Sequence, residues 1–275
     1  MKATPHPWSH DFTWQPPRGP FRRINPAQAR SWDQHGYFVL EDAFDAATVA
    51  AVIAEIDPFE AKVEAFLRTR PGGKLLIARA DEITFTTHLV ARSRLLREFA
   101  RQPVLCDLVH DLIGPDVRLY WDQAVYKKPG TRAPFPWHQD NGYTFVEPQA
   151  YLTCWLALTD ATEANGCPRV VPGLHRGGTL AHEPSDLGFV CFNEPPVEPI
   201  AAPARAGSIV VFSSLTPHAT GPNTTSETRR AYILQYAPDG ATTLRAADDG
   251  AITRELCAAP ERQYPILRDG RRVPS

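Results

Sequence analysis

Val117-Arg118-Leu119-Tyr120-Trp121-Asp122-Gln123-Ala124-Val125-Tyr126-Lys127 is where the chain changes its period. Upstream, apolar residues recur at helical spacing, as in Val49, Val52, Ile53 and Ile56. They do so again in Val104, Leu105, Leu108, Val109, Leu112 and Ile113. From Val117 onward they come in short runs rich in β-branched and aromatic side chains, which predicts strands. Similar runs follow at 151–158, 169–171, 189–192, 208–212 and 231–236, separated by turn residues. Many short strands punctuated by Gly and Pro predict a barrel or a double-sheet jelly roll. The expected fold is mainly β with N-terminal helices, a double-stranded β-helix of the cupin-like kind.

Working outward, local signals divide the chain. Residues 1–25 read as an extended arm rich in Pro and aromatic residues. Asn25 is placed to cap a helix that starts at Pro26 and stops at Gly36. A short strand follows at Tyr37-Phe38-Val39-Leu40. Asp45 is placed to cap a second helix, which Pro58 is expected to break or kink. Ser93 starts another, and the stripe after Pro103 ends at Gly114. The expectation is a single domain over 1–275. Its parts are the arm, a mainly helical segment over 26–116, a jelly-roll core over 117–240 and an irregular tail over 241–275. Phe85 and Thr86 fall in the part expected to form a helical lid.

The 275 residues are 43% hydrophobic and 22% charged, enough for one large core. A formal net charge of -2 gives no reason to expect nucleic acid or an anionic membrane as a partner. Cys106, Cys154, Cys167, Cys191 and Cys257 are odd in number and form no CxxC pair, which points to a reducing cytoplasm. No apolar run approaches the ~20 residues that span a bilayer. The first residues carry no apolar signal segment, and the last are not a peroxisomal address.

The chemistry is carried by His138-Gln139-Asp140, with His218 eighty residues later and Arg229 eleven beyond that. On a strand, residues i and i+2 share a face, so His138 and Asp140 are expected to grip one ion. His218 at a strand end completes the set. Two imidazoles and a carboxylate occupy one face of an octahedral ion and leave the other face open. Arginine offers a permanently charged planar fork suited to a carboxylate. Arg229 and Arg230 face opposite ways on a strand, so one points into the barrel. The set reads as a non-haem iron(II) oxygenase using 2-oxoglutarate and dioxygen. Asp140 favours hydroxylation, because a Gly or Ala there would open the site to a halide.

Ordered motifs strengthen this reading. They are Tyr120-Trp121-Asp122-Gln123 with Lys127-Lys128-Pro129-Gly130; Pro136-Trp137-His138-Gln139-Asp140; Trp155-Leu156-Ala157-Leu158; Asn165-Gly166-Cys167 with Val171-Pro172-Gly173-Leu174-His175; and Gly207-Ser208 through His218 to Arg229. In these segments, over roughly residues 117–236, the chain resembles the phytanoyl-CoA dioxygenase family. The resemblance implies a jelly roll with Fe(II) in its mouth, held by His138, Asp140 and His218. It also implies that Arg229 grips the far carboxylate of 2-oxoglutarate, supported by Thr220. Gln123 and Trp155 align with positions lining the co-substrate pocket, and Lys127 with a frequent family lysine. Leu174 departs from the usual Ser or Thr of PGSH. Asn165-Gly166 and Pro172-Gly173 read as structural turns, and His175 belongs to the second of them.

Asn141, Tyr143 and Phe145, just after the HxD, are candidate substrate contacts. The expected reaction hydroxylates a C–H bond of a small organic molecule, a specialised metabolite or a catabolic substrate, releasing succinate and CO2. A cupin-type hydrolase or isomerase using Zn or Mn on the same triad is the alternative, with Arg229 in a structural ion pair. A non-catalytic jelly-roll module is the third reading. No basic cluster suggests a CoA phosphate site, and the oligomeric state is not legible.

Overall fold

A computed structural model describes residues 2–247 and 250–274. Met1 of the expected arm and residues 248, 249 and 275 of the expected tail lie outside them. Helix α1 (Pro26–His35) starts as its residues predict. The Asn25 side chain accepts from Gln28 N, the Gln28 side chain accepts from Asn25 N, and Gly36 ends the helix in the left-handed conformation. Helix α2 (Ala46–Arg68) is capped by Asp45. It runs through Pro58 without the expected break. A proline removes one helical hydrogen bond, but Val52, Ile56 and Leu67 are buried on both sides of it and hold the helix down. Helices α3 (Arg94–Phe99) and α4 (Pro103–Leu112) follow, α3 capped by Ser93.

Twelve strands build the core. They are β1 (Tyr37–Leu40), β2 (Lys74–Leu75), β3 (Ala78–Arg79), β4 (Ile83–Thr87), β5 (Val117–Lys127), β6 (Phe135–His138), β7 (Leu152–Ala157), β8 (Pro168–Val170), β9 (Ile200–Ala201), β10 (Ile209–Ser213), β11 (His218–Thr220) and β12 (Arg229–Pro238). The major sheet runs β1-β10-β7-β12-β5-β4-β3-β2 and the minor sheet β9-β8-β11-β6, antiparallel throughout. This is the expected jelly-roll arrangement. The segment around Phe85 and Thr86 is not helical. It is β4, paired along β5 from Ile83↔Lys127 to Thr87↔Gln123. Its Ile83-Thr84-Phe85-Thr86-Thr87 run is β-branched and aromatic, so strand propensity governs locally.

The two-residue period of the major sheet sorts its side chains into two cores. One face presents Ala124, Tyr126, Cys154, Leu156, Val211, Tyr232 and Leu234 to the helices, where Ile56, Leu96, Phe99, Leu105 and Val109 meet them. The other presents Val125, Trp155, Phe212 and Ile233 inward, towards the minor sheet. The helices therefore back the sheet, and the inner face is left to line a cavity.

The tail is not irregular. Thr242–Ala246 and Ile252–Leu256 form a hairpin that pairs with Phe145–Glu147. Pro265–Arg268 adds to the start of β5. The arm holds a 3-10 turn at Pro7–Ser9 and is tied down. His6 N donates to Thr179 O and Ala181 N to Thr4 O, and Trp14 packs edge-on to His175. No helix among the described residues is long and apolar enough to cross a membrane.

Candidate metal and co-substrate centre

Register between strands of the minor sheet brings the two histidines together. His138 ends β6 and lies directly opposite His218, which begins β11. Their ring centres are 4.1 Å apart. Asp140 Oδ1 stands 3.9 Å from Nε2 of each. Among the described residues, this is the one group of three or more potential ligands whose donor atoms lie within 4.8 Å of one another. Asp140 arrives differently from the expectation. It is not on the strand with His138 but opens a 3-10 turn, Asp140–Gly142. The chain leaves the sheet after His138, and the turn, not the pleat, returns the carboxylate to the histidines.

Each donor is aimed by a neighbour. His138 Nδ1 meets Pro136 O at 2.8 Å and His218 Nδ1 meets Thr216 O at 3.0 Å. Both contacts fix the tautomer that leaves Nε2 bare for an ion. Burial, with His218 beside it, holds His138 well below the usual imidazole range, so it is a neutral ligand. Thr153 donates to Asp140 Oδ2 and accepts in turn from Gln235 Nε2, which leaves Oδ1 facing the imidazoles. Gln139, between the two ligands, is fully buried. Its Nε2 donates to Leu215 O and Gly178 O, and its Oε1 accepts from Leu180 N. It thus ties the HxD to the segment leading to His218. His182 accepts from Gln139 N. Its pKa is pushed down to about 4 by burial, so the acceptor is neutral. A Cβ at Gly142 would stand 2.0 Å from His182 Cε1, so this turn has room only for glycine. Thr153, Gln235 and Gln139 were not legible as site residues. Their partners are remote in sequence, and only HxD had a spacing to find it by.

Arg229 enters from β12. It is 1% exposed, as deep as its alternation with the half-buried Arg230 predicts. Nη1 donates to Gly166 O at 2.6 Å, the guanidinium lies 5.1 Å over the Trp155 ring, and Nε is buried without a hydrogen bond. No acidic side chain among the described residues pairs with it. Burial lowers it to about 10, so it remains charged at neutral pH. A buried, unpaired guanidinium is costly unless a ligand completes it. The Asp140–histidine group, Arg229, Thr220, Gln123 and Trp155 all line one cavity of about 520 Å3 between the sheets. Lys127 lies beside this cavity. Its Nζ donates to Thr220 Oγ1 at 3.0 Å and to Gly221 O at 2.6 Å. Burial and then Arg229 lower it to about 7.

Of the three substrate candidates, Tyr143 lines the cavity. Asn141 and Phe145 do not. Asn141 is a buried brace, donating to Thr179 Oγ1 and accepting from Val146 N, and Phe145 packs on His6 and Trp8. Both follow the turn away from the site. His175 contacts the Asp33 carbonyl, as its structural reading requires.

The donor set fits iron(II): two imidazole nitrogens and one carboxylate oxygen converge at the cavity and would hold the ion there. Arg229, buried in the same cavity without an acidic partner, would suit one carboxylate of a dicarboxylate. Fold and site together define a non-haem iron(II), 2-oxoglutarate-dependent dioxygenase. Comparison with known proteins agrees. The phytanoyl-CoA dioxygenase (PhyH) family model matches residues 32–231, and the chain belongs to that family. It is 27% identical over 251 residues to a methylphosphonate hydroxylase of Gimesia maris, covering 88% of each chain. It is 25% identical to a probable alpha-ketoglutarate-dependent hypophosphite dioxygenase of Stutzerimonas stutzeri, over 76% of this chain and 77% of the relative. Among solved structures it resembles the non-haem alpha-ketoglutarate-dependent carbocyclase SnoK from nogalamycin biosynthesis. The TM-score is 0.69 at 25% identity, covering 84% of this chain and 92% of that one.

Proposed function

We propose that this dioxygenase hydroxylates a C–H bond of a small organic molecule, with His138, Asp140 and His218 as iron ligands and Arg229 as the anchor of 2-oxoglutarate. The observation that carries the reading is Arg229 itself, a buried cation with no acidic partner, lining the same cavity as the ligand cluster. Bound there, iron(II) would couple reduction of dioxygen to decarboxylation of 2-oxoglutarate, giving succinate and CO2 and oxidising the substrate.

The chain's own groups do the positioning. His138 and His218 present Nε2 because backbone carbonyls hold Nδ1. Asp140 offers one oxygen because Thr153 holds the other. The Arg229 fork takes the far carboxylate and Thr220 donates its hydroxyl proton to it, while Lys127 fixes the direction of Thr220. Trp155 covers the guanidinium and keeps water from it. The cupin-type alternative needs an ion-pair partner for Arg229, and none is present among the described residues.

The test is anaerobic titration of Fe(II) protein with 2-oxoglutarate, following the visible charge-transfer band of a chelated keto acid. The band is expected in the native protein and absent in Asp140→Ala. Iron binding without a band at saturating 2-oxoglutarate overturns the proposal.

A further inference from the structure

The cavity is unusual in its charge. Among the described residues lining it, the three ligands apart, Arg229 is the one charged side chain. Co-substrate binding as proposed above uses Arg229 completely. Lys127 is committed to Thr220 and Gly221 and does not line the cavity. Arg79, on the nearest hairpin, donates through Nη2 to Asp186 O; its Nη1 is buried without a hydrogen bond, but the residue does not line the cavity. Among the described residues, no second cation lines the cavity to pair with an anionic substrate. Burying a phosphonate or carboxylate without a partner costs several kcal/mol or more.

The walls away from the ligands are apolar. Leu75 at the end of β2, and Leu76 and Ile77 in the turn to β3, line the cavity together with Phe85 and Tyr143. Leu76 is 82% exposed and has a positive φ of 50°. An exposed leucine in the left-handed conformation gains nothing from the fold it sits in, and exposed apolar groups at the mouth of a cavity mark a place where a ligand covers them. Three of the polar groups opposite already hold a partner. Trp121 Nε1 donates to Gln123, Gln235 donates to Thr153, and the Tyr143 hydroxyl accepts from Phe189 N. A substrate of one or two carbons would leave most of the space unfilled.

We infer that the substrate is an uncharged, largely apolar molecule carrying at least one ring, held between the Leu75-Leu76-Ile77 turn and the Phe85 and Tyr143 rings without an ionic anchor. This rests on the co-substrate reading above and departs from the phosphonate named for the relative in Gimesia maris. Recognition is then by burial and shape, with affinity scaling with apolar area.

The test uses protein loaded anaerobically with Fe(II) and 2-oxoglutarate, reading the shift of the charge-transfer band on addition of probes. The probes are 1-naphthalenemethanol, its anionic counterpart 1-naphthoate, and methylphosphonate. The neutral ring is expected to bind at least about tenfold more tightly than its carboxylate twin, with no shift from methylphosphonate. Leu76→Asp, which an exposed left-handed position tolerates, is expected to weaken the neutral probe by about tenfold with an unchanged melting temperature. Equal or tighter binding of either anion overturns the inference and leaves the co-substrate reading standing, as does no response to the neutral probe. Failure of the band to form before any probe is added overturns both.

Discussion

Arg229 and Thr153 define the site at the scale of single residues. Arg229→Ala removes one partner of a buried charge pair, a loss of about 2–5 kcal/mol or roughly 30-fold or more in 2-oxoglutarate affinity. Arg229→Lys keeps the charge but not the fork, so it should recover only part of that loss. Titration of the charge-transfer band measures both. Thr153→Val leaves Asp140 Oδ2 without its donor. Supports of this kind typically cost about 10–100-fold when removed, so iron affinity should fall by that order in a competition assay while 2-oxoglutarate affinity at saturating iron changes little. HxD, His218 and Arg229 were legible because each is a chemically distinctive residue at a telling separation. Thr153 was not, because a threonine in a run of strand residues carries no signal until the fold sets it against a carboxylate.

Elements explain which expectations failed. Strand and helix boundaries followed period and caps, as Asn25, Asp45 and Ser93 illustrate. Pro58 misled because a local rule was overridden by burial on both sides of it. The tail misled because Ile252–Leu256 is exposed along its length and Thr242–Ala246 lacks a clean alternation; the Phe145–Glu147 strand supplies the edge they build on. Asn141 and Phe145 misled because the 3-10 turn after His138 rotates them out of the cavity. That turn offers a direct test. Gly142→Ala drives a methyl into His182, an overpacking worth about 1–3 kcal/mol. It should lower the melting temperature and iron affinity together. In the double variant with His182→Ala the clash is gone, so the melting temperature should rise above that of the single glycine variant. The Gln139 amide has then lost its acceptor, so iron affinity should stay below native.

For the whole molecule, Asp122 fastens the 3-10 turn Leu89–Ala91, ahead of α3, to the sheet. It is fully buried on β5, accepting from Val90 N and the Tyr232 hydroxyl. Burial pushes its pKa up to about 6 from 3.8. The fold thus favours the protonated acid. That contribution is complete below pH 3.8 and is lost as pH rises through about 6, a swing of about 3 kcal/mol. Denaturant melts across pH 4–7 should show native stability falling relative to Asp122→Asn by about that amount, against the acid-labile trend of the surface carboxylates. No shift in the difference between the two proteins would mean that Asp122 stays ionised. The arm carries a consequence of another kind. It pairs with residues 179–181, where Leu180 N donates to Gln139 between the two ligands of the HxD. A purification handle fused ahead of Thr4, or a protease that trims to Trp14, therefore acts on iron retention as well as solubility, and a tag belongs at the other end of the chain.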